Sequence, residues 1–273
     1  MFNGARDQAT GLREMFEPLP ALSVVPISSA RRGMGLRSLV VNLAVGCARA
    51  GQRVVVIDAG AAGIAQALGL HIPHDLASLL AGDREFEDVV GQSSEGPYIL
   101  KAQKGLCEYI DAAGDPEALF LGFRRLEQPF DVAILTGHTD EIAAMTRNQD
   151  DLVFVTSPEA EALTATYAEI KRAHADHEQL AFRVLVNRVD TDNEGLVAFK
   201  RLATTARKFL GASIEYGGSI TRNTAFAMAD RGQCSVFGAS DASNAARQIA
   251  QLVQSMQAWR LGRYALTDAL ADA

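Results

Sequence analysis

Ser28-Ser29-Ala30-Arg31-Arg32-Gly33-Met34-Gly35-Leu36-Arg37-Ser38 is the stretch that decides the fold. It follows the apolar residues 22–27 and leads into Leu39-Val40-Val41-Asn42-Leu43-Ala44. Strand, glycine-rich loop and helix in that order bring backbone N–H groups and a helix N-terminus around a phosphate. In loops of this kind a lysine after the last glycine neutralises the β- and γ-phosphates, and the next hydroxyl holds Mg²⁺. Here those two positions are Leu36 and Arg37. The architecture of a phosphate loop is kept while its charged parts are replaced.

Outward from this loop, apolar runs recur at residues 22–27, 54–57, 98–100, 132–135, 152–155, 183–186 and 213–216. Several are unbroken Val/Ile/Leu segments without alternation, the pattern of strands covered on both faces. Helical stretches lie between them, at 38–50, 159–173 and 194–209. Alternating strands and helices predict an α/β fold, a doubly wound, mostly parallel sheet with ligands at the C-terminal ends of its strands. Residues 21–260 form this domain. Residues 1–20 hold a short helix candidate set apart by Pro18 and Pro20, and residues 261–273 form a tail.

The bulk properties narrow the class. With 273 residues, 48% hydrophobic and 22% charged, the chain is an ordinary globular protein with room for a large core. A net charge of −7 argues against a broad nucleic-acid-binding surface. Cys47, Cys107 and Cys234 are odd in number and widely spaced, which suggests a reducing compartment and neither a zinc site nor a disulfide framework. The histidines, His71, His74, His138, His174 and His177, lack accompanying carboxylates at ligand spacing, so no metal is assigned. No apolar segment approaches the roughly 20 residues of a membrane-spanning helix, and the N-terminus lacks the apolar core of a signal peptide. A cytoplasmic location is expected.

Residues 31–44 resemble the deviant Walker A segment and Asn-Leu-Ala helix of the ParA/MinD ATPases. Val54-Val55-Val56-Ile57-Asp58-Ala59 with Leu68-Gly69-Leu70 is similar to the second acidic motif of that family. Val155-Thr156-Ser157-Pro158-Glu159 is similar to the strand beside its switch. Val186-Asn187-Arg188-Val189, followed by Glu194-Gly195-Leu196, most resembles the flagellar branch of the family, FlhG. Asp7-Gln8-Ala9-Thr10-Gly11-Leu12-Arg13 resembles the Asp-Gln-Ala-x-x-Leu-Arg element of the same branch. The resemblance implies ATP with Mg²⁺ as cofactor and a role in setting flagellar number or placement. It further implies that Asp7, Gln8, Ala9, Leu12 and Arg13 engage an FlhF-type GTPase. A rotor-ring protein or a transcriptional regulator are further partners it allows.

Set against the family pattern, most of the charged apparatus is exchanged. The signature lysine falls on Arg31, a family glycine on Arg32, the phosphate lysine on Leu36 and the Mg²⁺ threonine on Arg37. Asp58 keeps the first acid of its motif while the second is Gly60, and the acid ending the strand at 132–135 is Thr136. Asn187, where the family contacts adenine, remains, as do Gly33, Gly35 and Ser38. By this resemblance Arg31, Gly33, Gly35, Ser38, Asp58 and Asn187 are the nucleotide-site candidates. Losing one charge-stabilising donor typically costs about 10²–10³ in rate, and several are missing together. ATP hydrolysis is therefore expected to be lost, while a homodimer of the kind the family forms with ATP stays open.

Two readings of Arg31, Arg32 and Arg37 stand at this point: an anion or nucleotide site without turnover, or a solvated or protein-contacting surface. The segment around Asp7 is either a helix packed on its own domain or an element docking into a partner, and the isolating prolines favour docking. A C-terminal helix near 244–259 places Ile249, Leu252, Val253 and Met256 on one face. Its scarcity of Lys and Arg predicts a helix covering the sheet rather than one lying on a membrane. A weak ATPase switch at the membrane and a DNA-partitioning protein are the rival functions.

Overall fold

The computed structural model describes residues 21–60, 62–238 and 243–265. The element at 7–13 and the residues after 265 lie outside them. All seven expected strands are present: β1 (Leu22–Ser28), β2 (Val54–Asp58), β4 (Tyr98–Lys101), β5 (Val132–Thr136), β6 (Asp151–Thr156), β7 (Ala181–Val189) and β8 (Ile214–Thr221). Two short strands join them, β3 (Val90–Gln92) and β9 (Gly262–Tyr264). The sheet runs β3-β4-β2-β5-β1-β6-β7-β8, with β9 on β1. Every pairing is parallel except β3 on β4 and β9 on β1.

Alternate residues of the strands feed two separate cores, which is why the runs read as continuously apolar. Val55 and Ile57 of β2 and Ala133 and Leu135 of β5 enter one core. Val54, Val56, Val132 and Ile134 enter the other. The first core is covered by α3 (Leu76–Leu80), α4 (Phe86–Val89), α5 (Gln103–Asp111), α6 (Pro116–Arg124), α7 (Thr139–Ala144), α8 (Ala160–Asp176) and α9 (Asp192–Leu210). The second is covered by α1 (Leu36–Arg49), α2 (Ile64–Ala67), α10 (Thr224–Arg231) and α11 (Ser243–Met256). Ile249, Leu252, Val253 and Met256 of α11 are buried in this second core, and α11 packs on α1. The helix covers the sheet, as its composition predicts.

The sheet extends beyond the boundary expected at residue 260. Leu22, Ser23 and Val24 pair with Tyr264, Arg263 and Gly262, so part of the expected tail is a strand. A run as short as Gly-Arg-Tyr carries no periodicity of its own. It is fixed by tertiary contacts: Asp151, fully buried, accepts from Arg183 Nε (2.7 Å) and from the Arg260 backbone N–H (3.0 Å). Arg183 also lies over the Trp259 ring, 5.2 Å from its centroid.

Candidate functional site

In an open parallel sheet, ligands bind outside the carboxyl ends of the strands where the strand order reverses. Here that point is β1, between β5 and β6. A cavity of about 740 Å³ opens there, lined by residues 29–39 after β1, by Thr136 at the end of β5 and the following Gly137, and by Asn187 and Arg188 of β7. Segment 220–230 closes its far side. Ser28 ties the ends of β1 and β5 together by donating its hydroxyl to the Gly137 carbonyl (2.9 Å).

The loop has the backbone of a phosphate cradle. Gly33 and Gly35 take positive φ values of 91° and 83°, a region that other residues rarely adopt. Gly35 is required twice over, because a Cβ there would lie 2.2 Å from Asn187 Nδ2. The first turn of α1 has no side-chain cap, and its first bond runs from Leu39 N–H to the Gly35 carbonyl (2.9 Å). The preceding amides are therefore left for a ligand or solvent. Ser38 sits half-buried in this turn, and its carbonyl accepts from Asn42 Nδ2 (2.7 Å). Asn42 Oδ1 in turn accepts from Val236 N–H (2.7 Å), which fixes the helix start to segment 234–238.

Among the described residues, five arginines line the cavity, Arg31, Arg32, Arg37, Arg188 and Arg222, against one carboxylate, Asp230. Arg37 Nη2 donates to both oxygens of Asp230 on α10 (2.8 and 2.6 Å). Arg31 pairs with Glu161 of α8 (3.1 Å), and Arg222 lies 3.4 Å from Asp190 and 3.9 Å from Glu159. These are exposed pairs, each contributing up to about 1 kcal/mol. A hydrogen bond from Ser157 holds the Glu159 carboxyl below its ordinary range, with Arg222 and Arg188 adding to the effect.

The remaining candidates are engaged with the protein itself. Asn187 donates from Nδ2 to the Met34 carbonyl (2.8 Å), and its Oδ1 accepts from Arg188 N–H (2.9 Å), so its amide braces the loop. Asp58 is buried, and its two oxygens accept from Gly60 N–H (3.3 Å) and Ile64 N–H (3.2 Å). Burial raises its pKa, and those two bonds and the Lys101 charge oppose the rise. Thr136 is fully buried with an unpartnered hydroxyl, and it lines the cavity.

This donor set suits an anion and does not suit Mg²⁺. The position that would supply a metal-binding hydroxyl holds a guanidinium pinned to Asp230. Asp58 is committed to the backbone, Thr136 is neutral, and Leu36 brings no donor. Sequence reasoning missed Asp230, Arg188 and Glu161. Asp230 and Glu161 lie in no motif, and Arg188 lies within one that singles out its neighbour Asn187; their roles follow only from which elements the sheet brings together.

A doubly wound sheet with a glycine loop and a helix N-terminus at its switch point defines a P-loop type of nucleotide-binding fold. Solved structures share it. The septum site-determining protein MinD of Pyrococcus horikoshii, complexed with Mg-ADP, superposes with a TM-score of 0.62 at 20% identity, over 86% of this chain and 96% of that one. A chain of the MinC:MinD complex of Aquifex aeolicus gives 0.63 at 19% identity, over 86% and 95%. The chain belongs to the CobQ/CobB/MinD/ParA nucleotide binding domain family, which matches residues 38–234. That match begins just past the loop's last glycine. Among curated proteins, the antiactivator FleN of Pseudomonas aeruginosa is 28% identical over 246 residues, 88% of each chain. The flagellum site-determining protein YlxH of Helicobacter pylori is 24% identical over 210 residues, 73% of this chain and 70% of that one.

Proposed function

We propose that this protein regulates the number or placement of flagella through protein contacts, and that its α/β domain does not run an ATP hydrolysis cycle. The observation that carries the second half is Arg37, held by Asp230 at the loop position that in this fold supplies a metal-binding hydroxyl. Phosphoryl transfer depends almost wholly on positioning and charge stabilisation. A site with no metal ligand set and no lysine supplies neither. The flagellar role is supported by the similarity to FleN and YlxH, of which FleN is matched over 88% of its length.

In this reading Asp7, Gln8, Ala9, Leu12 and Arg13 engage an FlhF-type GTPase, and the domain is their scaffold. Residue 21 opens onto β1 at the end of the sheet opposite the cavity, beside Tyr264 of β9. No described helix is long and apolar enough to cross a membrane, and the protein acts in the cytoplasm or peripherally at the cell pole.

The test is stimulation of the partner GTPase by the full chain, by the chain lacking residues 1–20, and by the Gln8→Ala variant. Stimulation by the first alone supports the reading, and equal stimulation by all three contradicts it. A second reading, a slow ATPase in which an arginine stands in for the loop lysine, draws on Arg32 and Arg188. Neither guanidinium makes a hydrogen bond or ion pair among the described residues. Turnover abolished by Asp58→Ala would favour that reading.

A further inference from the structure

The arginine-lined cavity holds more cation than the surrounding carboxylates answer. Arg31, Arg37 and Arg222 are paired with Glu161, Asp230 and Asp190. Arg32 and Arg188 line the same cavity with guanidinium groups that make no hydrogen bond or ion pair among the described residues. Arg188 is held in place at a backbone cost. Its φ is +61°, in the left-handed region, at an irregularity of the β7–β8 register between Asn187 and Val189. That conformation brings Arg188 Nε within 3.8 Å of the position a Gly35 Cβ would occupy, so the side chain lies across the loop. Strain at a non-glycine residue persists where the surroundings enforce it, and such positions cluster at ligand sites.

A second observation points the same way. The Thr136 hydroxyl is fully buried at the cavity wall and has no partner among the described residues. Leaving such a group unsatisfied costs about 1–3 kcal/mol, a cost that an acceptor in the cavity removes. The unpaired amides at the start of α1 complete a set of donors with no acceptor.

Resting on the reading that the site runs no hydrolysis cycle, we propose that this cavity is a divalent-metal-independent binding site for a phosphate-bearing anion. Arg32, Arg188, the Thr136 hydroxyl and the loop amides are its ligands, and the Arg37–Asp230 pair occupies the ground a metal would need. Guanidinium groups pair with phosphate oxygens through several N–H donors at once and need no counter-ion. The Asn187 amide is spent on the loop, so the phosphate rather than a base carries the affinity. Occupancy then works as a static brace on the loop and not as one stage of a cycle.

Calorimetric titration of the full chain with pyrophosphate and with ADP, each in chelator and in excess Mg²⁺, tests this. Binding is expected in chelator for pyrophosphate, with no tightening by Mg²⁺ and with weakening as salt rises. An ADP affinity equal to that of pyrophosphate supports phosphate-only recognition. The Arg32→Ala/Arg188→Ala double variant changes only exposed, unpaired side chains and is expected to bind at least tenfold more weakly. Thr136→Val is expected to melt no lower than wild type when unliganded and to bind several-fold more weakly. Absence of pyrophosphate binding in chelator, binding that requires Mg²⁺, or an unchanged affinity in the double variant would each overturn the proposal. Phosphate release from Mg-ATP is read separately. Without it, a failed titration removes the anion site and leaves the non-hydrolysing reading intact.

Discussion

Gly35→Ala probes the loop on which every later inference stands. At φ +83° an alanine pays the left-handed penalty of about 1–2 kcal/mol. Its Cβ would also lie 2.2 Å from Asn187 Nδ2, so the amide must swing away and give up its 2.8 Å bond to the Met34 carbonyl. Loss of that bond adds about 0.5–1.5 kcal/mol. The sum is about 1.5–3.5 kcal/mol, or roughly 3–14 °C in Tm for a domain of this size. Urea unfolding of wild type, Gly35→Ala, Asn187→Ala and the double variant separates the two parts. With the clash removed in the Asn187→Ala background, Gly35→Ala is expected to cost only the backbone penalty, about 1–2 kcal/mol. Strict additivity, or a Gly35→Ala cost below about 0.5 kcal/mol, would refute the contact between β7 and the loop.

Three further outcomes follow from the same structure. Asp151→Ala strands the nearly buried Arg183 without its 2.7 Å partner and is expected to cost about 3–5 kcal/mol by chemical denaturation. Arg260→Ala, at the exposed side of the same carboxylate, is expected to cost about 1 kcal/mol or less, and equal costs would contradict this account. Burial lifts the folded-state pKa of Asp58 above its unfolded value. Its contribution to stability is thus full below the unfolded pKa and lost as pH rises through the folded one. Asp58→Asn is therefore expected to gain on wild type as pH rises above the ordinary aspartate pKa of about 4, and a flat or falling difference in urea midpoints would contradict this. Cys47 is buried, with its thiol pushed up to about 12, whereas Cys107 is exposed. Thiol reagents are expected to label Cys107 in the native protein and Cys47 only on unfolding; native labelling of Cys47 would show that α1 opens.

The strand positions were legible because each buried run carries its own signal, and Leu22 through Ser28 runs without a charged residue. The phosphate loop was legible because its glycines must serve a fixed backbone shape, and Gly33 and Gly35 both do. What could not be read was pairing across the chain. Arg37 is 193 residues from Asp230, and Arg31 is 130 from Glu161, so no local pattern links them. The left-handed turn at Arg188 is equally silent, since an arginine gives no composition cue for it. β9 escaped for a different reason. Three residues are too few for periodicity, and the strand exists because Asp151 anchors Arg260 at its start. The family resemblance supplied the places of the exchanged residues. Their new partners came from the tertiary structure alone.

The most direct measurement of the central claim is inorganic phosphate release from Mg-ATP by the full chain, followed over many equivalents of substrate. A site whose metal position is filled by the Arg37–Asp230 pair is expected to release none above the uncatalysed background. Sustained, magnesium-dependent release that disappears with Asp58→Ala would contradict the account.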